Sequence, residues 1–516
     1  MFLKKIHIYN YKLFHDIEMN FEKSDDIPNV FSIASVNGGG KSTLLQFIFI
    51  MLNCFMDESK KVYIKNLLKD ISFENDGKNE LINFIISHKD KNYNFNFSIV
   101  PSNFEDKNFD LYEDEKRLKN ELEYLTGQLI PYNNPYNKIQ QNKEANHITE
   151  LRKKQKLVES ELHLTRDALE KLLLNLEENN LLYITHVNTN NILLLKTKME
   201  NELLKKLTKK IFLASPSSQV FHFFKDEEKN LIFKSSKENE QTLEHNPLFK
   251  ETNSYFNTIK YTKQNIQNFF TYDFFSSDII LGAFEKAFEK DRKLKISGGE
   301  YGDNLDKLGK TLKDFLEDKE ISVNEDLTKV IYRLIESNED STKVKIKQEL
   351  SATDLSHGEL KKLSIFIWLN YLVEEDSIVL MDEIDIALHP SWQYDLVDNL
   401  KKWSTNTQFF LATHSPQILS STYYKNLILL DKKNNSVHQL DKPLDNNDIN
   451  SVIDLIMGAN HLPKTLDKLH IGYRKLVKEG KEGTEKAEEL KEEILKWESI
   501  SSSFFRRIDF FKKMRK

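Results

Sequence analysis

Three consecutive glycines followed by Lys-Ser-Thr, Gly38 to Thr43, sit between two apolar runs and restrict the fold more than any other stretch of the chain. Val30-Phe31-Ser32-Ile33-Ala34 reads as a buried strand by length and composition. Leu44 to Met51 reads as an apolar helix. Strand, glycine-rich turn and helix in this order point successive backbone N–H groups and a helix N-terminus at one spot, which is how a protein cradles phosphate oxygens. In such a loop Lys41 reaches the β and γ phosphates and Ser42 holds Mg²⁺, with Asn37, Gly38, Gly39, Gly40 and Thr43 forming the rest of the cradle. Ser35 stands where these loops usually begin with glycine, so a side chain must fit at the first bend. Ahead of the loop, Ile6 to Asn10 and Ile17 to Phe21 read as paired strands.

A second constraint lies far downstream. Ser377-Ile378-Val379-Leu380-Met381-Asp382-Glu383 is a continuous apolar run ending in two acids, the pattern of a central parallel strand that delivers carboxylates to the sheet edge. The run resembles a Walker B motif, and that resemblance implies that Asp382 holds Mg²⁺ through water and that Glu383 is the general base on the attacking water. Gln408 to Ala412 supplies another buried strand, ending in Thr413-His414-Ser415-Pro416. Leu355-Ser356-His357-Gly358-Glu359 opens an apolar helix (Leu360, Leu363, Ile365, Phe366, Trp368, Leu369) and lies 26 residues before Asp382. A competing segment, Ile296-Ser297-Gly298-Gly299-Glu300, runs into Tyr301-Gly302-Asp303-Asn304, which is turn chemistry, and lies 85 residues before Asp382.

Composition narrows the class. Gly 15 and Pro 10 are few for 516 residues, so long helices are expected and extensive disorder is not. The net charge of -6 argues against a global electrostatic grip on nucleic acid, though it allows a local basic patch. The single cysteine, Cys54, lies in an apolar run, reads as a core residue and forms no internal disulfide. No long uncharged apolar stretch and no signal-peptide block occur, so a cytoplasmic chain without a membrane partner is expected.

Leu111, Leu118, Leu122, Leu125 and Leu129 keep coiled-coil spacing; Pro131 and Pro135 interrupt; then Ile148, Leu151, Val158, Leu162, Leu169, Leu172 and Leu176 resume it, with Gln155 and Thr165 as polar exceptions. This predicts an antiparallel helical hairpin with a longer arm on the order of 50 Å. Its mixed charges suit docking of another protein better than clamping DNA. The expected organisation is an N-terminal head part with the phosphate loop (1–110), the inserted hairpin (111–180), further head strands (181–225), a helical lid (226–335), the C-terminal head part (336–446) and a helical, basic tail (447–516). Interleaved Phe and basic residues in Phe504 to Lys516 suit nucleic acid and a protein surface equally.

The order of these motifs resembles the RecF/SMC-like branch of ABC ATPases. That resemblance implies an α/β fold, an ABC-type P-loop ATPase head of mixed sheet and flanking helices. It casts Leu355 to Glu359 as the signature, in which Ser356, Gly358 and Glu359 close over ATP held by a second copy. Asp382-Glu383 becomes the Walker B pair and His414 the switch histidine. Asp385 to Pro390 becomes the D-loop at the subunit interface, and Gln219 the candidate Q-loop glutamine. The implied ligands are ATP and Mg²⁺, and the implied partner is a second copy in a head-to-head dimer, with higher oligomers open. In its last third the chain is similar to the ATPase subunits of bacterial anti-phage systems, in particular the Septu type found alone or beside retrons, with the PARIS type close by. This implies a sensor and scaffold that controls a separate nuclease, of HNH type or alternatively TOPRIM type; the chain shows no nuclease site of its own. The alternative is a DNA-repair ATPase of RecF or RecN type acting on DNA. A transporter ATPase is disfavoured by the insertion and by the long interval between loop and signature.

Overall fold

The computed structural model describes the chain except residues 25–26, 37, 70–78, 102–106, 130–144, 176–179, 189–190, 218, 220–222, 224–264, 267, 273–275, 297, 299, 316–318, 325, 327, 337–344, 351–354, 405, 444–448, 459, 461 and 516. Asn37, Ser297, Gly299 and the Pro131/Pro135 interruption therefore lie outside the described residues. The chain divides into two compact units, Met1–Asp441 and Lys442–Lys516.

The first unit opens with β1 (Phe2–Tyr11), β2 (Phe14–Asn20) and β3 (Val30–Ser35), followed by α1 (Lys41–Asn53) and α2 (Lys61–Leu68). Next come β4 (Asn79–His88), β5 (Lys91–Pro101), α3 (Lys107–Leu129), α4 (Ala145–Asn175), β6 (Asn180–His186), β7 (Asn191–Thr197), α5 (Asn201–Thr208) and β8 (Ile211–Ser215). After β9 (Phe269–Thr271) follow α6 (Ser276–Ile296), α7 (Asn304–Phe315) and the strands β10 (Lys319–Val323), β11 (Val330–Glu336) and β12 (Lys345–Leu350). The last third alternates: α8 (His357–Ile367), β13 (Ile378–Asp382), α9 (Pro390–Trp403), β14 (Gln408–Ala412), α10 (Pro416–Ser421), β15 (Leu427–Asp431) and β16 (Ser436–Gln439).

Seven strands form the central sheet in the order β16-β15-β3-β14-β13-β8-β9, all parallel except the β15–β16 edge pair. Strands β3, β8, β13 and β14 are buried at every position, which is why they read as unbroken apolar runs with no alternation. A second, antiparallel sheet of order β2-β1-β4-β5-β7-β6 packs with the first around α1, whose Leu44 to Asn53 are all buried. Cys54 is fully buried in this core, which pushes its thiol pKa up to about 12. The mixed α/β class expected from sequence is observed.

Helices α3 and α4 pack on each other through Leu118, Leu125, Leu129, Ile148, Val158 and Leu162, and Gln155 donates to Thr126 Oγ1 at 3.3 Å. Strands β10 to β12 form a small antiparallel sheet, and Ile321, Val330 and Tyr332 from it share a core with α6, α7 and α8. Among the described residues, no helix is long and apolar enough to cross a membrane. In the second unit, α11 (Lys464–Lys478), α12 (Glu485–Leu495) and α13 (Ser503–Arg515) bury Leu466, Tyr473, Val477, Ile494, Phe504 and Phe505 together.

Candidate functional site

Strand β3 ends at Ser35, the chain turns through Gly38 (φ 72°) and Gly40 (φ 90°), and α1 begins at Lys41. Both positive φ values belong to the left-handed region that favours glycine. Gly39 is required for a different reason, since a Cβ there would meet Ser35 Cβ and Oγ at 2.5 Å and Val36 O at 2.9 Å. The serine that replaces the customary first glycine thus fits because Gly39 leaves it space. It also does something: Lys41 Nζ donates to Ser35 Oγ at 3.2 Å. Leu44 N–H donates to Gly40 O at 2.8 Å, closing the first helical turn, and Gly39 N–H donates to Val36 O at 3.0 Å, closing the turn ahead of it.

Lys41 is buried, and burial lowers its pKa against the raising influence of Asp382, Asp385 and Glu383. Its ammonium also donates to His414 Nε2 at 2.7 Å. Burial, then the Lys41 charge, lower the His414 pKa, so this imidazole is neutral at pH 7 and its Nε2 can accept. Two residues read separately from the sequence are thereby in direct contact across the adjacent parallel strands β3 and β14.

Asp382 closes β13, next to β14. It is 1% exposed, and neither carboxylate oxygen has a well-formed hydrogen bond. Burial raises its pKa to about 6; the Ser42 hydroxyl and the Lys41 charge pull the other way, and Glu383 adds to the rise. An unpartnered buried carboxylate is costly. With the Ser42 hydroxyl nearby, this donor set fits a hard cation bound by oxygens, as Mg²⁺ is. Glu383 follows in a left-handed conformation (φ 50°), its N–H donating to Ala412 O at 2.9 Å. Such strain in a non-glycine residue costs on the order of 1–3 kcal/mol and persists where the surroundings impose it.

The segment after Glu383 is fixed from several sides. Thr413 Oγ1 donates to Asp385 Oδ1 at 2.6 Å. Gln393 Nε2 donates to the carbonyls of Asp385 and Leu388 at 3.2 and 2.8 Å. Lys361, 2% exposed on α8, donates to Ile386 O at 2.6 Å and Glu383 O at 3.3 Å, and its ammonium lies 4.2 Å from the centroid of the Tyr272 ring. His389, for which the sequence assigns no role, accepts the Ser391 N–H at 3.3 Å and caps α9, with Pro390 at the first helical position.

Ser356 caps α8 in a reciprocal capping box: its Oγ accepts the Glu359 N–H at 3.2 Å while Glu359 Oε2 accepts the Ser356 N–H at 2.9 Å and hydroxyl at 2.8 Å. Lys319 from β10 donates to Glu359 Oε1 at 2.6 Å, and despite its burial the pKa of Glu359 is lowered by Lys319 and Ser356. Gly358 packs on the segment after Glu383, where a Cβ would meet Ala387 O at 2.7 Å. The competing segment is arranged differently: Ile296 is the last residue of α6, so that segment follows a helix where Ser356 precedes one, and Asp291 accepts the Asn304 N–H at 2.9 Å to tie α6 to the start of α7.

Lys41, Ser42, Asp382, Glu383 and His414 are thus gathered at the C-terminal ends of β3, β13 and β14, while the side-chain hydrogen bonds of Ser356 all go to Glu359. Gln219 accepts from Gln46 Nε2 at 2.7 Å, and Gln46 lies one helical turn beyond Ser42 on the same face of α1. Sequence reading missed Ser35 as a partner of Lys41, and it missed Lys361, Lys319, Thr413 and Tyr272. The signal for Lys361 was a lysine two positions past Glu359 on the buried side of an apolar helix; the others carried none.

A family model described as "AAA domain, putative AbiEii toxin, Type IV TA system" matches residues 36–420. A "Retron Vc95 probable ATPase" of Vibrio cholerae serotype O1 biovar El Tor is 30% identical over 168 residues, 30% of this chain and 33% of that protein. A "Retron Ec83 probable ATPase" of Escherichia coli is 49% identical over 53 residues, 10% of each chain. "Septu protein PtuA" of Bacillus mycoides (strain KBAB4) is 43% identical over 49 residues, 10% of this chain and 7% of that protein. The matches therefore span a third or less of these curated relatives. Among solved structures, the "SMC head domain from Thermotoga maritima" aligns over 86% of this chain and 100% of that chain at 10% identity and a TM-score of 0.36. The family model covers most of the chain, including the loop, Asp382 and His414, and the chain belongs to the AAA domain family that it describes.

Proposed function

We propose that the chain binds ATP with Mg²⁺, hydrolyses it between two copies, and serves as sensor and scaffold of an anti-phage defence complex that controls a separate nuclease. The observation that carries the ATP reading is Asp382, a 1%-exposed carboxylate without a well-formed hydrogen bond, set against the Ser42 hydroxyl at the mouth of a glycine-rich loop. Ser42 and Asp382 are the residues that would hold Mg²⁺, which when bound supplies charge neutralisation for the phosphates.

The backbone N–H groups of Gly38 and of Gly40 to Thr43, at the N-terminus of α1, take the phosphate oxygens. Lys41 exchanges its bonds to Ser35 and His414 for the β and γ phosphates, and His414, released from Lys41, takes the tautomer with the proton on Nε2 and donates it to a γ-phosphate oxygen. Glu383, set outward of the strand by its left-handed backbone, accepts the proton of the attacking water. Gln219, through Gln46, links this face of α1 to the rest of the head. The N-terminus of α8, with Ser356 and the Gly358 backbone, offers donors and a positive helix end to the γ-phosphate of the second copy, while Glu359 orients the serine.

The relatives named as retron ATPases and as a Septu protein support the defence assignment. In this reading the α3–α4 pair docks a partner, the nuclease is of HNH type or alternatively TOPRIM type, and the complex works in the cytoplasm. Purification from the native host with native mass measurement tests it. A nuclease and bound nucleotide in one assembly are expected. A chain that recovers neither, and whose ATP turnover is stimulated by duplex DNA, would instead be a DNA-repair ATPase.

A further inference from the structure

The C-terminal unit has a groove on one side and, elsewhere on its surface, a side chain of the kind that would fill it. A cavity of about 200 Å³ lies between α11 and α13. Its floor is apolar, made by Val477, Phe504 and Ile508, all buried. Its rim is cationic, with the exposed Arg474, Lys478 and Arg507, and no acid lines it. Phe511, 42% exposed, forms one wall. Such a pocket selects an anionic partner that carries a single apolar anchor of about ring size.

Helix α12 of the same unit has the opposite character. Within Glu485–Leu495 it carries Glu485, Glu488, Glu489, Glu492 and Glu493 against Lys486 and Lys491. Trp497 follows directly and is 53% exposed, with Ile500 nearby at 55%. An exposed indole beside an acidic helix has the chemistry that the groove asks for.

We propose that Trp497 and the acidic edge of α12 in one copy dock into the Arg474–Lys478–Arg507 groove of a second copy. Because donor and acceptor surfaces differ, the contact either closes as a two-fold reciprocal exchange between two copies or runs head-to-tail to further ones. A nucleic acid is the weaker occupant, since α12 packs on the same α11 and sets five carboxylates against a polyanion. A second copy instead presents those carboxylates to the cations. The contact is independent of ATP, so its failure and that of the ATP reading are separable.

Sedimentation velocity on the full chain without nucleotide tests it. Concentration-dependent association is expected, weaker at 0.5 M salt through screening of the order described for ~3 Å Debye lengths near 1 M. Trp497→Ala and Arg507→Glu, both at exposed positions, should each weaken it at least about tenfold while thermal unfolding stays unchanged. An equimolar mixture of the two variants should regain one-to-one pairs, because each supplies the surface the other lacks. Monomers at every concentration, or parent-like association of both variants, would overturn the proposal. So would an absence of association together with Arg507-dependent binding of a labelled single-stranded oligonucleotide, which would assign the groove to nucleic acid.

Discussion

The glycine-loop end and the Ser356 end of the first unit are built on opposite principles. At the loop end the polar groups are buried and under-satisfied: Asp382 has no well-formed hydrogen bond, and Lys41 rests on a neutral histidine and a serine. At the Ser356 end the groups satisfy one another, with Ser356 and Glu359 bonded to each other, Lys319 on the second carboxylate oxygen, and Gly358 seated against Ala387. The first arrangement stores unfavourable free energy that a ligand can release. The second holds the start of α8 in place, so the helix N-terminus is already formed when another molecule brings a ligand, and the Ser356 hydroxyl has only to turn from Glu359. Lys361 joins the two, reaching from the signature helix to the carbonyls of Glu383 and Ile386.

Substitutions at the two ends should therefore behave differently. The largest effect is expected from Glu383→Gln, which removes the base but no group from the loop: turnover should fall by about 10²–10⁴-fold with ATP binding kept. Turnover at the parent rate, measured by phosphate release, would remove Glu383 from that role. Lys41→Ala should weaken ATP binding by roughly 100-fold, the scale of losing one partner of a buried charged contact, as titration calorimetry can show. Ser356→Arg leaves the loop intact, so a single chain should bind ATP as before while the ATP-bound dimer is lost; a dimer that persists in native mass spectrometry would break the division of labour between the ends. The smallest effect is expected from Ser356→Ala as a matter of stability alone, about 1 kcal/mol for a lost helix cap, readable in a denaturant midpoint.

How much of this was legible in the sequence depended on whether the determinant is local. Strands β3, β13 and β14 were legible because strands buried on both faces leave unbroken apolar runs, and Ser356 was legible because Ser and Glu three apart mark a helix start. The three-stranded sheet was not, since its outer strands Lys319–Val323 and Lys345–Leu350 are largely polar and draw their burial from α6 to α8. The tail shows the same limit. Phe504, Phe505, Phe510 and Phe511 look alike in sequence, yet Phe504 stacks on His470 with ring centroids 3.7 Å apart and Phe505 is buried with it, whereas Phe510 is 65% exposed. The helical phase relative to α11 divides them, and that depends on tertiary packing. Likewise, the surroundings of Asp382 are decided by what β3, β13 and β14 bring near it.

Asp382 is held in a costly state which the bound ligand relieves, and Asp382→Asn separates that state from a merely structural carboxylate. The pKa of this group is raised from 3.8 to about 6 on folding, so its neutral form is favoured: its contribution to stability is fully present below pH 3.8 and lost as pH rises through 6. Replacing it with a neutral amide should leave stability nearly unchanged near pH 4. At pH 8 it should raise that of the ligand-free chain by about 3 kcal/mol, the linkage value of that shift. Thermal unfolding at pH 8, with and without ATP and Mg²⁺, should then give two changes of opposite sign: a gain in the free chain and loss of the ligand-induced rise. A variant no more stable than the parent when free, and stabilised by ATP and Mg²⁺ as much as the parent is, would contradict the account.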